Sequence, residues 1–578
     1  MSRSPQLFSR PDTHIAKATI LIALLCLCHA CNSATQPPAG TAAGTTAGTS
    51  GDSSRSHSLD PKRSNPDSPA NVESGDGEET WEMLVIQTTR VGYQGTRVEK
   101  LQQADKPVVK ISSKQYLVLK RFNESSEQTL ETSCLETAEG QLMEFESREA
   151  MGRELTITRG KVEGNVLRLE TVTGDKRERT SIDWPDGSGG WYEVDHSLRR
   201  QPMKPKEKRQ LTTLTPVIHR LSDVSLEARD YETTDVAGQS HTLLKIIRKD
   251  RVAGATLESV LWVDDRGETL KSRVAGIGLE THRCSREIAL DIHAKVPVDR
   301  ARQAAGPADN SGRGDRPAPK EQAFDIGNST VVKLKKISGN PHAEKRMAYR
   351  ARLEDGTPID VFPTTSSQLV EPLEGDAASI TVTAIRPDSP VDRNGDRQGS
   401  PPTDDDVSPN NWIQSDDPAI MRMANDAVGD ETDPWKMACI LERLVKETVR
   451  SKNFSQAFLS ASEVLRSREG DCTEHAVLLA ALCRAKKIPA RVAIGLVYFA
   501  PAEGFAYHMW NVVCINDRWI PLDGTLGQAG IGAGHLQLAS SHLKGSDSRA
   551  VFLPVSQVLG RLQLEILDEH AEVPPPSP

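Results

Sequence analysis

The chain has 578 residues, far more than a single hydrophobic core requires. At roughly 150 residues per domain, such a length predicts about three or four units. The 71 Lys and Arg residues are set against 80 Asp and Glu residues, the net charge is -9, and neither sign forms a long block. Because the sequence has no basic patch or stripe to neutralise phosphates, nucleic acid is not expected as a partner.

The N-terminus has the pattern of an export signal. Basic residues precede an apolar run at residues 18–28, and the small residue Ala30 follows. The run is shorter than the roughly 20 residues that span a bilayer. Residues 27–31 also resemble a lipoprotein processing site, in which Cys31 would be acylated and anchor the mature chain. We therefore predict a signal peptide at residues 1–30 of an exported protein of the periplasm or cell envelope, with lipidation of Cys31, simple cleavage after Ala30 and a retained anchor as the alternatives.

The cysteines do not form a disulfide framework. The chain has nine cysteines, of which Cys26 and Cys28 would leave with the signal peptide. Six more are scattered without paired spacing: Cys134, Cys284, Cys439, Cys472, Cys483 and Cys514. An exported chain of this size with so few cysteines is expected to be held together by its hydrophobic cores. A single bridge, for example between Cys134 and Cys284, stays open as an alternative.

Composition divides the rest of the chain into ordered units and linkers. Residues 31–80 are rich in Ser, Thr, Gly, Ala, Pro and Asp and carry almost no large apolar side chains. They cannot bury enough surface to offset the entropy of ordering, so we predict a disordered tether. The other predicted units are a β-rich region at 81–298, a linker at 299–322, a small β-rich unit at 323–387, a linker at 388–410, a domain with helices at 411–566 and a tail at 567–578.

Strand signals dominate residues 81–298. Short β-prone runs lie between turn residues, and the clearest are 116–119, 155–157, 166–169 and 243–247. Ser259–Val263 and Glu268–Leu270 flank the turn residues 264–267, which predicts a hairpin.

Helical signals strengthen after residue 411. Asp417 before Pro418, and Asp433 before Pro434, are N-cap residues followed by the proline that is favoured in a first turn. Apolar residues then recur at helical spacing from 437 to 445, which predicts a helix packed into the core.

A candidate nucleophile lies in the segment 470–476, which reads Gly-Asp-Cys-Thr-Glu-His-Ala. The segment leads into an apolar run at 477–483, which predicts a buried helix with Cys472 in its first turn. Unpaired backbone N–H groups and the positive end of the helix dipole favour an anion at that position. They would favour the thiolate form of the cysteine and could also hold a developing oxyanion.

A candidate base and its partner follow in a predicted hairpin. Residues 508–515 and 518–523 have the pattern of two strands joined by a two-residue turn. If residue 515 pairs with residue 518, His508 and Asp523 share a face as diagonal neighbours, about 7 Å apart at the backbone. In this geometry a carboxylate orients an imidazole, and the other nitrogen of the imidazole meets the cysteine. The predicted site is therefore Cys472, His508 and Asp523.

These motifs resemble the bacterial form of the transglutaminase-like superfamily. That family has a Gly-Asp-Cys-x-Glu-His-Ala nucleophile motif, a His-x-Trp-Asn strand and a Leu-Asp-x-Thr strand, and this chain has them in order at 470–476, 508–511 and 522–525. Residues 485–491 are similar to the family's Gly-Ile-Pro-Ala-Arg turn, with Lys487 where glycine is usual. The resemblance is close over about residues 411–530 and fainter in the β-rich region upstream.

The resemblance implies an α+β fold class, with a C-terminal papain-like transglutaminase core at 411–566 preceded by β-rich domains and the disordered tether. It implies that Cys472 is the nucleophile, His508 the base and Asp523 the residue that orients it. Such enzymes attack a carboxamide or peptide carbonyl, form a thioester and pass the acyl group to an amine or to water. We therefore expect a protein or peptide substrate, such as an envelope peptide, and no cofactor or metal.

A zinc site is one alternative. Cys472, His475, His508 and Cys483 are its candidate ligands, and positions 472 and 475 share a helix face. However, His508 and Cys483 have no closely spaced partner, and Asp523 would have no purpose in such a site. Glu474 and His475 are instead expected to steady the start of the helix, while Cys483 and Cys514 are expected to be inert core cysteines.

A silent binding module is the other alternative. Most of the ordered mass lies in the upstream β-rich regions, which would recognise a partner while the site performs no turnover. The intact set of Cys472, His508 and Asp523 favours an enzyme.

Overall fold

The computed structural model describes residues 77–567, except 104–105, 122–123, 152–153, 294–323, 335–338, 387–399, 452–457 and 546. The predicted signal peptide, Cys31, most of the tether, the linker at 299–322 and nearly all of the tail lie outside the described residues. Among the helices that are described, none combines the length and apolarity needed to cross a membrane.

The N-terminal region is one large sheet of fifteen strands. They are β1 (Glu78–Ile86), β2 (Thr89–Gln103), β3 (Lys106–Arg121), β4 (Glu124–Thr137), β5 (Leu142–Met151), β6 (Glu154–Glu163), β7 (Val166–Thr173), β8 (Lys176–Asp183), β9 (Ser188–Gly189), β10 (Lys208–Thr215), β11 (Arg220–Val236), β12 (Gln239–Val252), β13 (Ala255–Val263), β14 (Thr269–Val274) and β15 (Leu279–Cys284). The predicted strand runs at 116–119, 155–157, 166–169 and 243–247 all lie in these strands, and β13 pairs with β14 as the predicted hairpin requires.

Neighbouring strands in the sheet are mostly consecutive in the chain. β1 to β8 pair in sequence, β9 pairs with β10, and β10 to β15 return so that β15 closes onto β1. Successive side chains of a strand point to opposite faces of the sheet, and one face of this sheet is buried. In β5 the buried residues are Phe145, Ser147, Glu149 and Met151, and the residues between them are not buried. The described part of the predicted tether enters this sheet, because β1 begins at Glu78.

A second sheet carries the C-terminal motifs. It consists of β16 (Val332–Lys333), β20 (Ala490–Phe499), β21 (Gly504–Ile515), β22 (Arg518–Leu522) and β23 (His535–Ser541). Its order is β16-β21-β20-β23, and β22 pairs with the other half of β21.

A third sheet joins the predicted small unit to the end of the chain. Its strands are β17 (Arg346–Leu353), β18 (Gln368–Pro372), β19 (Ala377–Thr383) and β24 (Leu562–Leu567), in the order β18-β19-β17-β24. In the predicted unit at 323–387, the described strands β17–β19 therefore share one sheet with β24, and β16 takes part in the second sheet.

The longer helices lie in the C-terminal region. The described helices are Glu193–Arg200, Arg286–Leu290, Ile326–Ser329, Pro418–Val428, Pro434–Thr448, Ala461–Ser467, Cys472–Ala485, Asp547–Ala550 and Leu553–Val558. Asp417 and Asp433 cap two of them as predicted: each carboxylate accepts two backbone N–H groups, and proline follows. In the Pro434–Thr448 helix, Leu441 and Val445 are fully buried, which confirms the predicted core stripe.

Part of the predicted linker at 388–410 is ordered. Residues 404–406 form a short 3-10 helix in which Asp406 is buried. Arg491 donates to both Asp406 carboxylate oxygens at 2.7 and 2.9 Å, and these bonds hold the segment against β20. The buried pair explains why polar composition alone misrepresented these residues.

A continuous apolar core links the three sheets. It includes Leu84 of β1, Tyr349 of β17, Leu478 of the Cys472–Ala485 helix and Leu564 of β24. The predicted fold class is confirmed only in part: a strand-rich region does precede the C-terminal motifs, but the described chain as a whole is rich in strands and is not clearly α+β. The reason is that residues 332–383 and 562–567 add a four-stranded sheet and the edge strand β16 to the strands at 490–541.

Candidate active site

Cys472 is the first residue of the Cys472–Ala485 helix, called the Cys472 helix below. The N-cap residue Asp471 accepts a hydrogen bond from the Thr473 N–H at 2.9 Å, and Glu474 Oε2 accepts one from the Asp471 N–H at 2.9 Å. This capping box fixes the first turn, so the thiol lies at the positive end of the helix dipole.

Two neighbours of Cys472 brace the same turn. Glu474 Oε1 also accepts from the Leu459 N–H at 3.0 Å, and His475 Nδ1 donates to the Asp471 carbonyl at 2.6 Å. These contacts confirm the prediction that Glu474 and His475 steady the helix start. Gly470 is required beside them, because a Cβ at that position would lie 2.3 Å from the Glu474 Cβ.

The hairpin of β21 and β22 has the predicted register. Ile515 pairs with Arg518, and the pairing continues to Asn511 opposite Leu522. Asn516 and Asp517 have φ angles of 52° and 61°, as a type I′ turn requires.

This register brings His508 and Asp523 into contact. His508 Nε2 lies 2.8 Å from Asp523 Oδ2. The ionised carboxylate can only accept, so Nε2 carries the proton and, in the neutral ring, Nδ1 carries the lone pair.

The Cys472 helix packs against β21, the strand that carries His508. Thr473 Oγ1 lies 3.4 Å from Met509 Sδ, so the residue after the cysteine touches the residue after the histidine. One helical turn later, Asn511 Nδ2 donates to the Ala476 carbonyl at 2.9 Å. Helix start and strand therefore run side by side, with positions 472 and 508 at the same end of the contact.

Asp523 is a fully satisfied buried carboxylate. Oδ1 accepts from the N–H groups of Thr525 at 2.8 Å and Leu526 at 3.2 Å, and Oδ2 accepts from two histidines, His508 at 2.8 Å and His535 at 3.0 Å. Burial alone would raise the pKa of Asp523, but the interaction with His508 and the hydrogen bonds from both rings hold it well below its ordinary value. The carboxylate therefore stays ionised although it is fully buried.

His535 is the functional candidate that the sequence interpretation missed. It begins β23, is 2% exposed, and burial lowers its pKa against the opposing effect of Asp523. A neutral imidazole still donates through Nε2 to the carboxylate. The only local signal was a histidine just after a glycine-rich stretch, which fits no catalytic motif.

Glu442 approaches the site from the Pro434–Thr448 helix. Its Oε1 accepts from the Asp523 N–H at 3.0 Å and the Gly530 N–H at 3.1 Å. Burial raises the pKa of Glu442 to about 8. The side chain thus ties the backbone of Asp523 to the loop that leads to His535.

The three predicted residues lie beneath the surface. Cys472, His508 and Asp523 are each 0% exposed. None of the three side chains is in contact with bulk solvent in this structure.

Among the described residues, one group could hold a metal ion: His508, Asp523 and His535, whose ligand atoms lie within 4.8 Å of one another. The two hydrogen bonds to Asp523 account for this clustering without an ion. Cys472, His475 and Cys483, the other candidate zinc ligands, do not belong to the group, and His475 Nδ1 is bonded to a backbone carbonyl.

The remaining described cysteines are suited to packing. Cys483 and Cys514 are buried as expected; burial raises the pKa of Cys514 to about 11 and raises that of Cys483 further. Cys134 and Cys284 are unbridged.

Comparison with known protein families gives a match over the residues of the candidate site. Residues 422–524 match the sequence model of the Transglutaminase-like superfamily. No curated protein is significantly similar to the chain in sequence.

Solved structures give weak similarities. A candidate cysteine protease from Cytophaga hutchinsonii aligns at 15% identity over 39% of this chain and 91% of that one, with a TM-score of 0.26. The periplasmic domain of TgpA from Pseudomonas aeruginosa, bound to ethylmercury, aligns at 13% identity over 35% and 76%, with a TM-score of 0.21. A β-barrel-like domain of unknown function from Brucella abortus aligns at 9% identity over 36% and 94%, with a TM-score of 0.27. The match to a transglutaminase-like domain thus rests on residues 422–524, and Cys472, His508 and Asp523 all lie within them.

Proposed function

We propose that the protein is a transglutaminase-like cysteine enzyme that acts on carboxamide or peptide bonds of proteins or peptides. The observation that carries the proposal is the 2.8 Å contact between His508 Nε2 and Asp523 Oδ2, beside a capped helix that begins at Cys472. A papain-like arrangement of this kind supplies a nucleophile, a base and the group that orients the base.

In the first step, Cys472 Sγ attacks the substrate carbonyl carbon while His508 Nδ1 takes the thiol proton. The carbonyl oxygen becomes an oxyanion, which the N–H groups at the start of the Cys472 helix can stabilise. When the intermediate collapses, the C–N bond breaks, the leaving amine or ammonia takes the proton from His508, and a thioester remains on Cys472.

In the second step, water or an amine attacks the thioester carbonyl, and His508 removes a proton from the incoming group. The C–S bond breaks, Cys472 leaves as the thiolate, and the proton on His508 restores the starting state. Asp523 keeps His508 in the tautomer that both steps require. Water gives hydrolysis, and an amine gives acyl transfer.

The test uses the full-length chain, a glutamine-containing protein and a fluorescent primary amine. Amine incorporation, ammonia release and new N-termini are followed together. Cys472→Ala should abolish every product, and Cys514→Ala, which removes a thiol from a small apolar cluster, should retain them. Incorporation identifies acyl transfer, whereas ammonia or new N-termini without incorporation identify an amidase or protease.

A binding module is the second candidate, because the N-terminal sheet holds a cavity of about 1060 Å³. Its lining combines Phe145 and Leu169 with the cations Arg159, Arg168 and Arg179, and none of its lining residues belongs to the Cys472 site. If no product depends on Cys472 across varied substrates, and the cysteine reacts with a thiol probe no faster than a model peptide thiol, the binding module takes the place of the enzyme.

We also propose export to the periplasm or cell envelope, with Cys31 as a lipid attachment site. This proposal rests on the sequence pattern at residues 1–31. Mass spectrometry of the mature N-terminus distinguishes acylated Cys31 from a chain cleaved after Ala30 and from an uncleaved chain.

A further inference from the structure

We propose that His535 is a positioning residue of this site, which holds Asp523 in place so that Asp523 can orient His508. The inference rests on the proposed function for its catalytic meaning. Its structural basis is the set of contacts that His535 makes. His535 itself lies outside residues 422–524, which match the family.

Strand pairing places the two histidines on the strands that flank β20. β20 lies between β21 and β23; Gly495 of β20 pairs with His508, and Val497 pairs with His535. β23 comes unusually close at this point, since a Cβ on Gly495 would lie 2.0 Å from the Leu536 carbonyl oxygen. Only glycine permits the approach that brings His535 into the site.

The hydrogen bonds at Asp523 give His535 a specific task. The backbone N–H groups of Thr525 and Leu526 hold Oδ1, so the carboxylate plane is anchored on one side. His508 and His535 share Oδ2. Without His535, His508 would be the only donor left to Oδ2, and the carboxylate would be less firmly held against rotation.

The His535 ring is itself held by packing. It meets Trp510 edge to face, with centroids 5.3 Å apart and an interplanar angle of 80°, and it meets His342 at 5.6 Å and 73°. Because this packing already fixes the buried ring, little further entropy is lost when the ring donates a hydrogen bond to Asp523. Such a preorganised ring is suited to holding Asp523 in place.

The test measures how fast iodoacetamide alkylates Cys472 as a function of pH, with the labelled peptide read by mass spectrometry. The full-length chain is compared with His535→Phe, which keeps an aromatic ring but has no donor, and with His535→Gln, whose amide can still donate to Asp523. His342→Phe is the matched control, because it disturbs the packing of His535 and leaves the hydrogen bond to Asp523 in place.

If His535 positions Asp523, the Phe variant alkylates with a midpoint about one pH unit higher, toward that of an ordinary thiol, because His508 supports the thiolate less well. In His535→Gln the alkylation midpoint should lie close to that of the unmodified chain, and in His342→Phe it should be unchanged. On a substrate found as above, His535→Phe should lower kcat by roughly 10- to 100-fold with KM within about twofold.

An unchanged alkylation midpoint in His535→Phe would overturn the inference, as would equal shifts in the Phe and Gln variants, which would mean that the ring only fills space. The alkylation readout needs no turnover. If the unmodified chain makes no Cys472-dependent product, the proposed function fails, while the coupling of His535 to Cys472 is still decided.

Discussion

Glu149 and Arg549 are 400 residues apart in the chain and form an ion pair at 3.0 Å with side chains 4% and 5% exposed. Glu149 faces inward from β5, and Arg549 comes from the Asp547–Ala550 helix. The guanidinium also stacks over Trp412 at 5.0 Å. The pair fastens the N-terminal sheet to the region that carries the candidate active site.

Removing one member of this pair should be costly. Glu149→Gln leaves the Arg549 charge buried without a counter-ion, and we expect a loss of about 3–5 kcal/mol in the free energy of unfolding. Urea unfolding measures the change. Replacing both residues together, as in Glu149→Leu with Arg549→Met, should recover most of the loss.

The matched control is the pair of Lys176 and Asp416, which also links the two regions, at 2.8 Å, but has side chains 39% and 47% exposed. Lys176→Met should cost less than about 1 kcal/mol. If both single variants lose the same amount, burial of the Glu149 pair is not what stabilises the contact.

The hydrogen bond from His508 to Asp523 predicts the effect of a neutral isostere. Asp523→Asn keeps the size of the side chain, but its amide can donate to His508 and so favour the wrong tautomer, with the proton on Nδ1. We expect kcat to fall by roughly 10³- to 10⁴-fold. Steady-state kinetics on the substrate identified above, together with a melting curve that shows an intact fold, measure this; a loss of less than tenfold would contradict the assigned role.

The third prediction is that Gly470→Ala destabilises the fold, because the neighbours of Gly470 leave no space for a side chain. In Gly470→Ala the new Cβ would have to displace Glu474, whose Cβ and Cγ lie 2.3 and 2.4 Å away, and so release the bonds to Asp471 and Leu459. We expect about 2–4 kcal/mol of destabilisation from overpacking and loss of the cap, with reduced kcat.

Gly429 is the matched control for that variant. It also has a positive φ, of 55°, but a Cβ there would meet nothing within 4 Å. Gly429→Ala should therefore cost about 1–3 kcal/mol, because φ 55° with ψ -126° is a backbone conformation that suits glycine, and should leave kcat unchanged. Equal effects on kcat in the two variants would show that the crowding at Glu474 does not matter.

The local part of the site could be predicted from the sequence because short-range rules determine it. A two-residue turn sets the register of β21 and β22, and a capping box sets the start of the Cys472 helix. Lys487 illustrates the same point: it has a φ of 63°, which explains why the family usually has glycine there.

The long-range part could not be predicted in this way. His535 reaches Asp523 only because β23 pairs with β20, and no local pattern reveals which strands become neighbours. The same holds for Glu442, which approaches Asp523 from a helix 81 positions earlier. The contacts of His535 and Glu442 with Asp523 both depend on tertiary packing, which cannot be read from local patterns in a single sequence.

Glu442 leads to the last prediction, a dependence of stability on pH. Its pKa in the folded state is about 8, because of burial, against about 4.3 for an unfolded glutamate. Between these values the folded state binds more protons than the unfolded state, so stability from this group is present at low pH and is lost as pH rises through 8.

We expect the unfolding free energy of the chain to fall, relative to Glu442→Gln, by on the order of 2–4 kcal/mol between pH 5 and pH 8. The glutamine keeps an oxygen for the Asp523 and Gly530 N–H groups but has no charge to bury, so its stability should change less with pH. Urea unfolding at each pH measures the difference. Glu447→Gln, an exposed change on the same helix, should follow the unmodified chain; if Glu442→Gln follows it as well, Glu442 does not take up its proton on folding, and burial has not raised its pKa.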